Sequence, residues 1–144
     1  MVSEVLNLVK LMPDKITKLD MVVFLLRLAT ASIFIVEGYL KLFVTEQNTL
    51  ITYFASLGLP FPLTFGLSVG GLEFFGGILI LAGFFTRLLG LLFAIEMLVA
   101  TFVANLPQGF NAALEVTTLL FFITLSFGII GAGKLSVDTY IWRK

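Results

Sequence analysis

Four long apolar stretches dominate the chain, at about residues 21–43, 64–83, 88–105 and 112–132. Each is close to the roughly 20 residues that an α-helix needs to cross about 30 Å of hydrocarbon. Residues 84–87 alone join the second stretch to the third, which predicts a tight helical hairpin. Residues 106–111, with Pro107 and Gly109, make the next turn. The longest connection, 44–63, holds an apolar run over 49–57 followed by Gly58, Pro60 and Pro62. It is too short and too broken to span, so it reads as an interfacial or re-entrant helix. Ahead of the first span, Val2, Val5, Leu6, Val9 and Met12 recur at steps of three and four, with Ser3, Glu4, Asn7 and Lys10 on the other face. That spacing predicts a short amphipathic helix lying on the membrane surface and ended by Pro13. The expected fold is all-α: an integral membrane four-helix bundle (residues 20–138) between an interfacial N-terminal segment (1–19) and a short tail (139–144).

Composition sharpens this picture. Of the 144 residues 59% are hydrophobic, 16 are Phe and only 12% are charged, against roughly 25% charged in soluble domains; mean hydropathy is +1.10. A water-soluble bundle is excluded because no polar faces remain to meet water. Continuous apolar runs are likewise the wrong pattern for the alternating strands of an outer-membrane barrel. Nine Lys/Arg balance nine Asp/Glu, so no basic field exists to hold nucleic acid. The chain has neither Cys nor His. Disulfides, iron–sulfur clusters, thiolate zinc and His-ligated haem are therefore excluded within it, as are a Cys nucleophile and the commonest general base. Any redox centre must be bound without thiolate or imidazole, or belong to a partner. Residues 1–20 carry six charged side chains and no small-residue cleavage site, so no cleaved signal peptide is expected.

Basic residues set the expected orientation. Lys10, Lys15, Lys18, Arg87, Lys134, Arg143 and Lys144 fall on the side of the termini and the short hairpin, and Lys41 on the opposite side. The positive-inside rule then predicts a multi-pass cell-membrane protein with both termini cytoplasmic, anchored by Tyr140 and Trp142 at the interface.

Each span also carries one glutamate, Glu37, Glu73, Glu96 and Glu115, and the first carries Arg27. A charge at mid-helix costs roughly 2.5–3.5 kcal/mol on the insertion scale, so such groups usually face the bundle interior and pair. At 1.5 Å per residue, Arg27, Glu96 and Glu73 lie about 9, 12 and 16 Å from the cytoplasmic edge, and Glu37 and Glu115 about 25 Å. Two polar layers follow: an inner network of Arg27, Glu73 and Glu96, and an outer layer of Glu37, Lys41 and Glu115 with Tyr39 and Asn105. Two carboxylates sharing one Arg in low dielectric should not both stay ionised. The inner layer could exchange a proton, hydrogen-bond a polar ligand head, or serve as an ion-pair network locking the helices. Gly66, Gly70 and Gly77 share the face of Glu73, and Glu115, Phe122, Ser126 and Gly133 share a stripe on the last span.

Two motifs are set aside. The run Gly128-x-x-x-x-Gly133-Lys134 fits a P-loop pattern, but Leu135 stands where Ser or Thr is needed and the segment leaves a membrane helix, so no nucleotide site is expected. Four glutamates on four helices suggest a di-iron bundle, but that site also needs Glu-x-x-His pairs. With no histidine, no metal site is expected.

Several fragments in order resemble the DoxX family of small four-helix membrane proteins over about residues 24–138. They are Arg27-Leu28, Glu37-Gly38-x-x-Lys41-Leu42-Phe43, Tyr53-Phe54-Ala55-Ser56-Leu57-Gly58-Leu59-Pro60 and Gly71-x-Glu73-Phe74-x-Gly76-Gly77. Gly83-x-x-Thr86-Arg87, Glu96-Met97, Glu115 and Gly131-x-Gly133-Lys134-Leu135-Ser136-x-Asp138 complete the series, with Ala132 where the pattern has proline. The resemblance implies a four-helix membrane fold and association with redox membrane complexes; the namesake members serve thiosulfate:quinone oxidoreduction in sulfur-oxidising archaea. The expectation is a membrane subunit of a respiratory or sulfur-metabolising oxidoreductase, contacting lipids and other subunits. Arg27, Glu73 and Glu96 would line a quinone or proton site, with Glu37 and Glu115 as its outer entrance. Quinone is implied by the resemblance, not by composition or spacing, and no intrinsic cofactor is expected. The residues leave open whether the chain is itself catalytic, an accessory structural subunit, or a small proton or solute conduit.

Overall fold

The computed structural model describes residues 16–141. The N-terminal amphipathic segment through Pro13, the Trp142 anchor and the basic residues Lys10, Lys15, Arg143 and Lys144 lie outside the described residues. Within them the ordered elements are all helical.

Helix α1 (Lys18–Tyr39) starts at a capping box: Thr17 Oγ1 accepts from the Asp20 amide at 3.2 Å, and Asp20 Oδ2 accepts from the Thr17 amide at 2.8 Å. It runs on as a π-helical turn, Leu40–Val44. The short α2 (Gln47–Ser56) fills the long connection. Next come α3 (Pro62–Ala82) and α4 (Thr86–Val99), the latter extended by a second π-helical stretch, Ala100–Asn105, and a 3-10 turn, Leu106–Gln108. Helix α5 (Ala112–Ile130) is capped by Asn111, whose Oδ1 accepts from the Leu114 amide at 2.9 Å. A single turn of helix, α6 (Val137–Ile141), follows. Four continuous helices, Lys18–Val44, Pro62–Ala82, Thr86–Gln108 and Ala112–Ile130, are long and apolar enough to cross a membrane.

The bundle is built from two antiparallel pairs, α1 with α3 and α4 with α5, and the pairs meet each other far less. Lipid tails are as apolar as the side chains, so close van der Waals fit holds each pair together. Glycine supplies that fit. A Cβ on Gly38 would overlap the Phe74 backbone nitrogen and crowd the Gly70 carbonyl, and Gly77 sits against Ala31 and Ile35. In the other pair, Gly90 abuts the Gly128 amide and the Thr124 carbonyl. The pairs are joined by a core of Ala31, Phe34, Ile80, Leu89, Phe93 and Phe127, where the Phe34 and Phe93 rings stack 3.9 Å apart.

The Gly90–Gly128 contact also decides which face α5 buries. Leu114, Leu120, Thr124 and Phe127 point inward, whereas Glu115 and Phe122 are exposed. The expected Glu115–Phe122–Ser126 stripe is therefore not the packing face of this helix.

Candidate functional site

Arg27 does not join the glutamates. It is 1% exposed, and its guanidinium spreads over four carbonyls at the terminal end of the bundle. Nε donates to Ile80 O at 2.9 Å and Nη2 to Leu81 O at 2.7 Å; Nη1 donates to Ala132 O at 2.9 Å and Leu135 O at 2.7 Å. Two of these carbonyls belong to the last turn of α3, where the dipole favours a cation; Ile80 O also accepts from the Gly83 amide at 3.0 Å. Gly83, at φ +74°, turns the chain beside the guanidinium, and a Cβ there would strike Nη2 and Ser136. Asp138 then caps the start of α4, accepting from the Phe85 and Thr86 amides at 2.9 and 3.0 Å. This steadies Phe85, a bulky residue held at φ +52°. Asp20 Oδ1 accepts from the Lys134 amide at 2.9 Å. Arg27, Asp138 and Asp20 thus form a latch that binds the 131–138 segment to the hairpin and to α1.

The expected inner network is redrawn for a geometric reason. Depths counted from each span's own edge assume that all four helices start in one plane. The glycine contacts instead fix the register: Gly38 meets Gly70 and Phe74, and Ala31 meets Gly77. In that register Arg27 falls opposite the end of α3, and Lys41 comes within reach of Glu73.

Lys41 Nζ grips both oxygens of Glu73, at 2.8 Å from Oε1 and 2.7 Å from Oε2, and lies 3.4 Å from Glu37 Oε2. Glu73 is 4% exposed, whereas the Glu37 side chain is 55% exposed. Glu96, from α4, faces Glu73 closely enough for their charges to interact. Both Glu96 carboxylate oxygens are buried with no N–H or hydroxyl donor of the protein on them, and Glu73 lies close enough to share a proton with them. The cluster therefore sets one lysine against two buried carboxylates. Electrical neutrality at low dielectric requires one further proton or a ligand donor there.

These groups line a cavity of about 730 Å³ between the two helix pairs, on the α2 side of the Phe34–Phe93 stack. A volume of this size falls in the range of small-molecule sites, which combine apolar walls with a few convergent polar groups. The walls are mostly aliphatic and aromatic, with Tyr53 and Phe54 of α2 contributing from the connection. Both π-helical stretches border the cavity: the first carries Lys41, and the second brings Asn105 toward Thr117 of α5, with Nδ2 bonded to Ala100 O at 3.1 Å and Thr117 Oγ1 at 3.3 Å. Such bulges frequently occur at functional sites.

Of the expected outer layer, Glu37 and Lys41 do come together. Glu115 stands apart, exposed in the first turn of α5, where a carboxylate complements the helix dipole. Sequence reasoning missed the latch, although Thr17-x-x-Asp20 is a readable capping signal ahead of α1. It also missed the π-helical turns, for which no local signal exists.

The profile of the DoxX family matches residues 22–106, a stretch containing Arg27, Glu37, Lys41, Glu73 and Glu96. A Bacillus subtilis (strain 168) protein named "Putative oxidoreductase CatD" is 31% identical over 119 residues, covering 83% of this chain and 86% of that protein. No solved structure matches significantly. On the profile match and the shared length with this relative, the chain belongs to the DoxX family of membrane proteins.

Proposed function

We propose that this chain is a membrane subunit of a respiratory or sulfur-metabolising oxidoreductase, and that the cavity between its helix pairs receives the head group of a lipid-soluble quinone. The observation that carries this reading is the Glu96 carboxylate, buried at an apolar cavity with no protein donor on it and facing the Lys41–Glu73 pair. A ring bearing oxygen functions on an apolar tail complements such a site. Ile95, Val99 and Val103 of α4 line the cavity and are also exposed on the lipid side, which offers the tail a path into the bilayer. Family membership and the oxidoreductase name of the Bacillus relative support the redox assignment. With no Cys or His, the chain supplies the pocket and a proton route, and a partner subunit supplies the electron carrier. Glu37, exposed and joined to Glu73 through Lys41, is the entrance of that route.

The side bearing the termini is assigned to the cytoplasm. Among the described residues Lys18, Arg87 and Lys134 lie there, while Lys41 on the other side is engaged by glutamates. The test is purification from the native membrane in mild detergent, with quinone extraction and mass spectrometry of co-purifying proteins. Wild type should carry quinone and partner subunits; Glu96→Leu, which can neither donate nor accept, should keep the partners and lose the quinone. A chain that emerges alone and free of quinone refutes the assignment. An accessory structural role is favoured by the carbonyl-bound Arg27, and it predicts that Glu96→Leu leaves quinone content and partner retention both unchanged.

A further inference from the structure

The cavity's polar groups are unevenly divided between donors and acceptors. An ammonium has three N–H donors, and those of Lys41 go to Glu73 Oε1, Glu73 Oε2 and Glu37 Oε2. The Asn105 amide is spent on Ala100 O and Thr117 Oγ1, and the Thr117 hydroxyl donates to Ala113 O at 3.0 Å. Tyr53, from α2, is 44% exposed. Among the described residues, no spare side-chain donor is left in the buried groups around Glu96, whose two oxygens accept from no N–H or hydroxyl of the protein. Among the described residues, the buried donor such a site can offer a ligand is the proton of the Glu73–Glu96 pair, carried on Glu96.

We infer that the cavity recognises its ligand through a hydroxyl donor, so that it takes the reduced, phenolic form of a lipid-soluble aromatic whether or not Glu96 carries a proton, and the oxidised carbonyl form only when Glu96 is protonated. The choice of ligand class rests on the quinone reading above. An ionised Glu96 accepts from a phenolic O–H, and a protonated one accepts or donates. A carbonyl placed against an ionised Glu96 sets acceptor against acceptor and leaves both groups buried without a partner. The preference for the hydroxyl form therefore widens as pH rises and the cluster gives up its proton. The ionisable groups facing Glu96 are Glu73 from α3 and Lys41 and Glu37 from α1, with Tyr53 from α2 at the cavity wall; α5 contributes no ionisable side chain to the cavity.

The experiment separates the donor from shape and from redox chemistry. The full chain in lipid nanodiscs is assayed by scintillation proximity with a tritiated long-chain 4-alkylphenol. Competitors are the unlabelled phenol, its methyl ether and an alkyl benzoquinone, across a pH series. The ether should compete at least about tenfold more weakly than the phenol, the order of effect expected for a buried acceptor left unpartnered. The benzoquinone should lose ground against the phenol as pH rises. Glu96→Gln, whose amide can donate as well as accept, should abolish both differences. An ether that competes as well as the phenol with wild type overturns the inference, as does absence of phenol binding. If the phenol binds, the ether does not and the benzoquinone fails at every pH, the quinone reading falls while recognition through a hydroxyl donor stands.

Discussion

Replacing Arg27 by Leu removes the central donor of the latch. Four hydrogen bonds are lost, to Ile80, Leu81, Ala132 and Leu135, while the Asp138 bonds to Gly83, Phe85 and Thr86 still tie the 131–138 segment to the hairpin. Hydrogen bonds from a charged donor contribute roughly 1.5–3 kcal/mol each, and a buried carbonyl left alone costs about 1–3 kcal/mol. Against this, burying a guanidinium without a carboxylate partner costs several kcal/mol in the wild type, and the variant no longer bears that cost. The difference is a destabilisation of roughly 3–5 kcal/mol, less than four separate bonds would suggest. Arg27→Lys keeps the charge, but a single nitrogen with three donors cannot fan across four carbonyls, so it should fall between Leu and wild type. Unfolding in mixed micelles against rising dodecyl sulfate, followed by circular dichroism, measures both variants. A Leu variant within about 1 kcal/mol of wild type would refute the latch, given the bond strengths involved. A folded Arg27→Lys protein that loses ligand binding in the cavity would refute it equally, since Arg27 would then act at the cavity.

Gly38→Ala should separate α1 from α3, because the added methyl meets the Phe74 backbone, which cannot rotate away; a loss of about 1–3 kcal/mol or more is expected in the same unfolding assay. Lys41→Met should cost roughly 3–5 kcal/mol by leaving Glu73 buried without its partner, and Lys41→Met with Glu73→Leu should recover most of it. A double-mutant cycle showing no coupling between these positions would dissolve the pair. Asp138→Asn should lower stability by about 1 kcal/mol through the weakened cap at Phe85 and Thr86 and raise amide exchange at those residues, readable by hydrogen-exchange mass spectrometry.

The membrane class, the four spans and the helix between the first two were all legible along the chain. Hydropathy and length depend only on local composition, and the described helices begin and end within a few residues of the expected edges. The α1 boundary moved outward because the Thr17–Asp20 capping box starts the helix before its apolar run. Inward placement of Glu73 was legible too, from the glycines on its face. Which charges would meet was not. Pairing depends on the offset between neighbouring helices, and backbone contacts such as Gly38 with Phe74 set that offset from residues far apart in sequence. Arg27 and Lys41 stand about four turns apart along the first span, roughly 21 Å, so the register alone decides which of them reaches Glu73. Arg27 read as a partner for carboxylates because its charge was visible, whereas the carbonyls that bind it belong to Ile80, Leu81, Ala132 and Leu135, whose side chains advertise nothing. Sequence alone therefore determined that lipid is the solvent and that a few ionisable groups must turn inward. Only the packed bundle decided which of them pair, which one stays without a partner, and where the cavity opens, because those outcomes depend on how closely two backbones can approach.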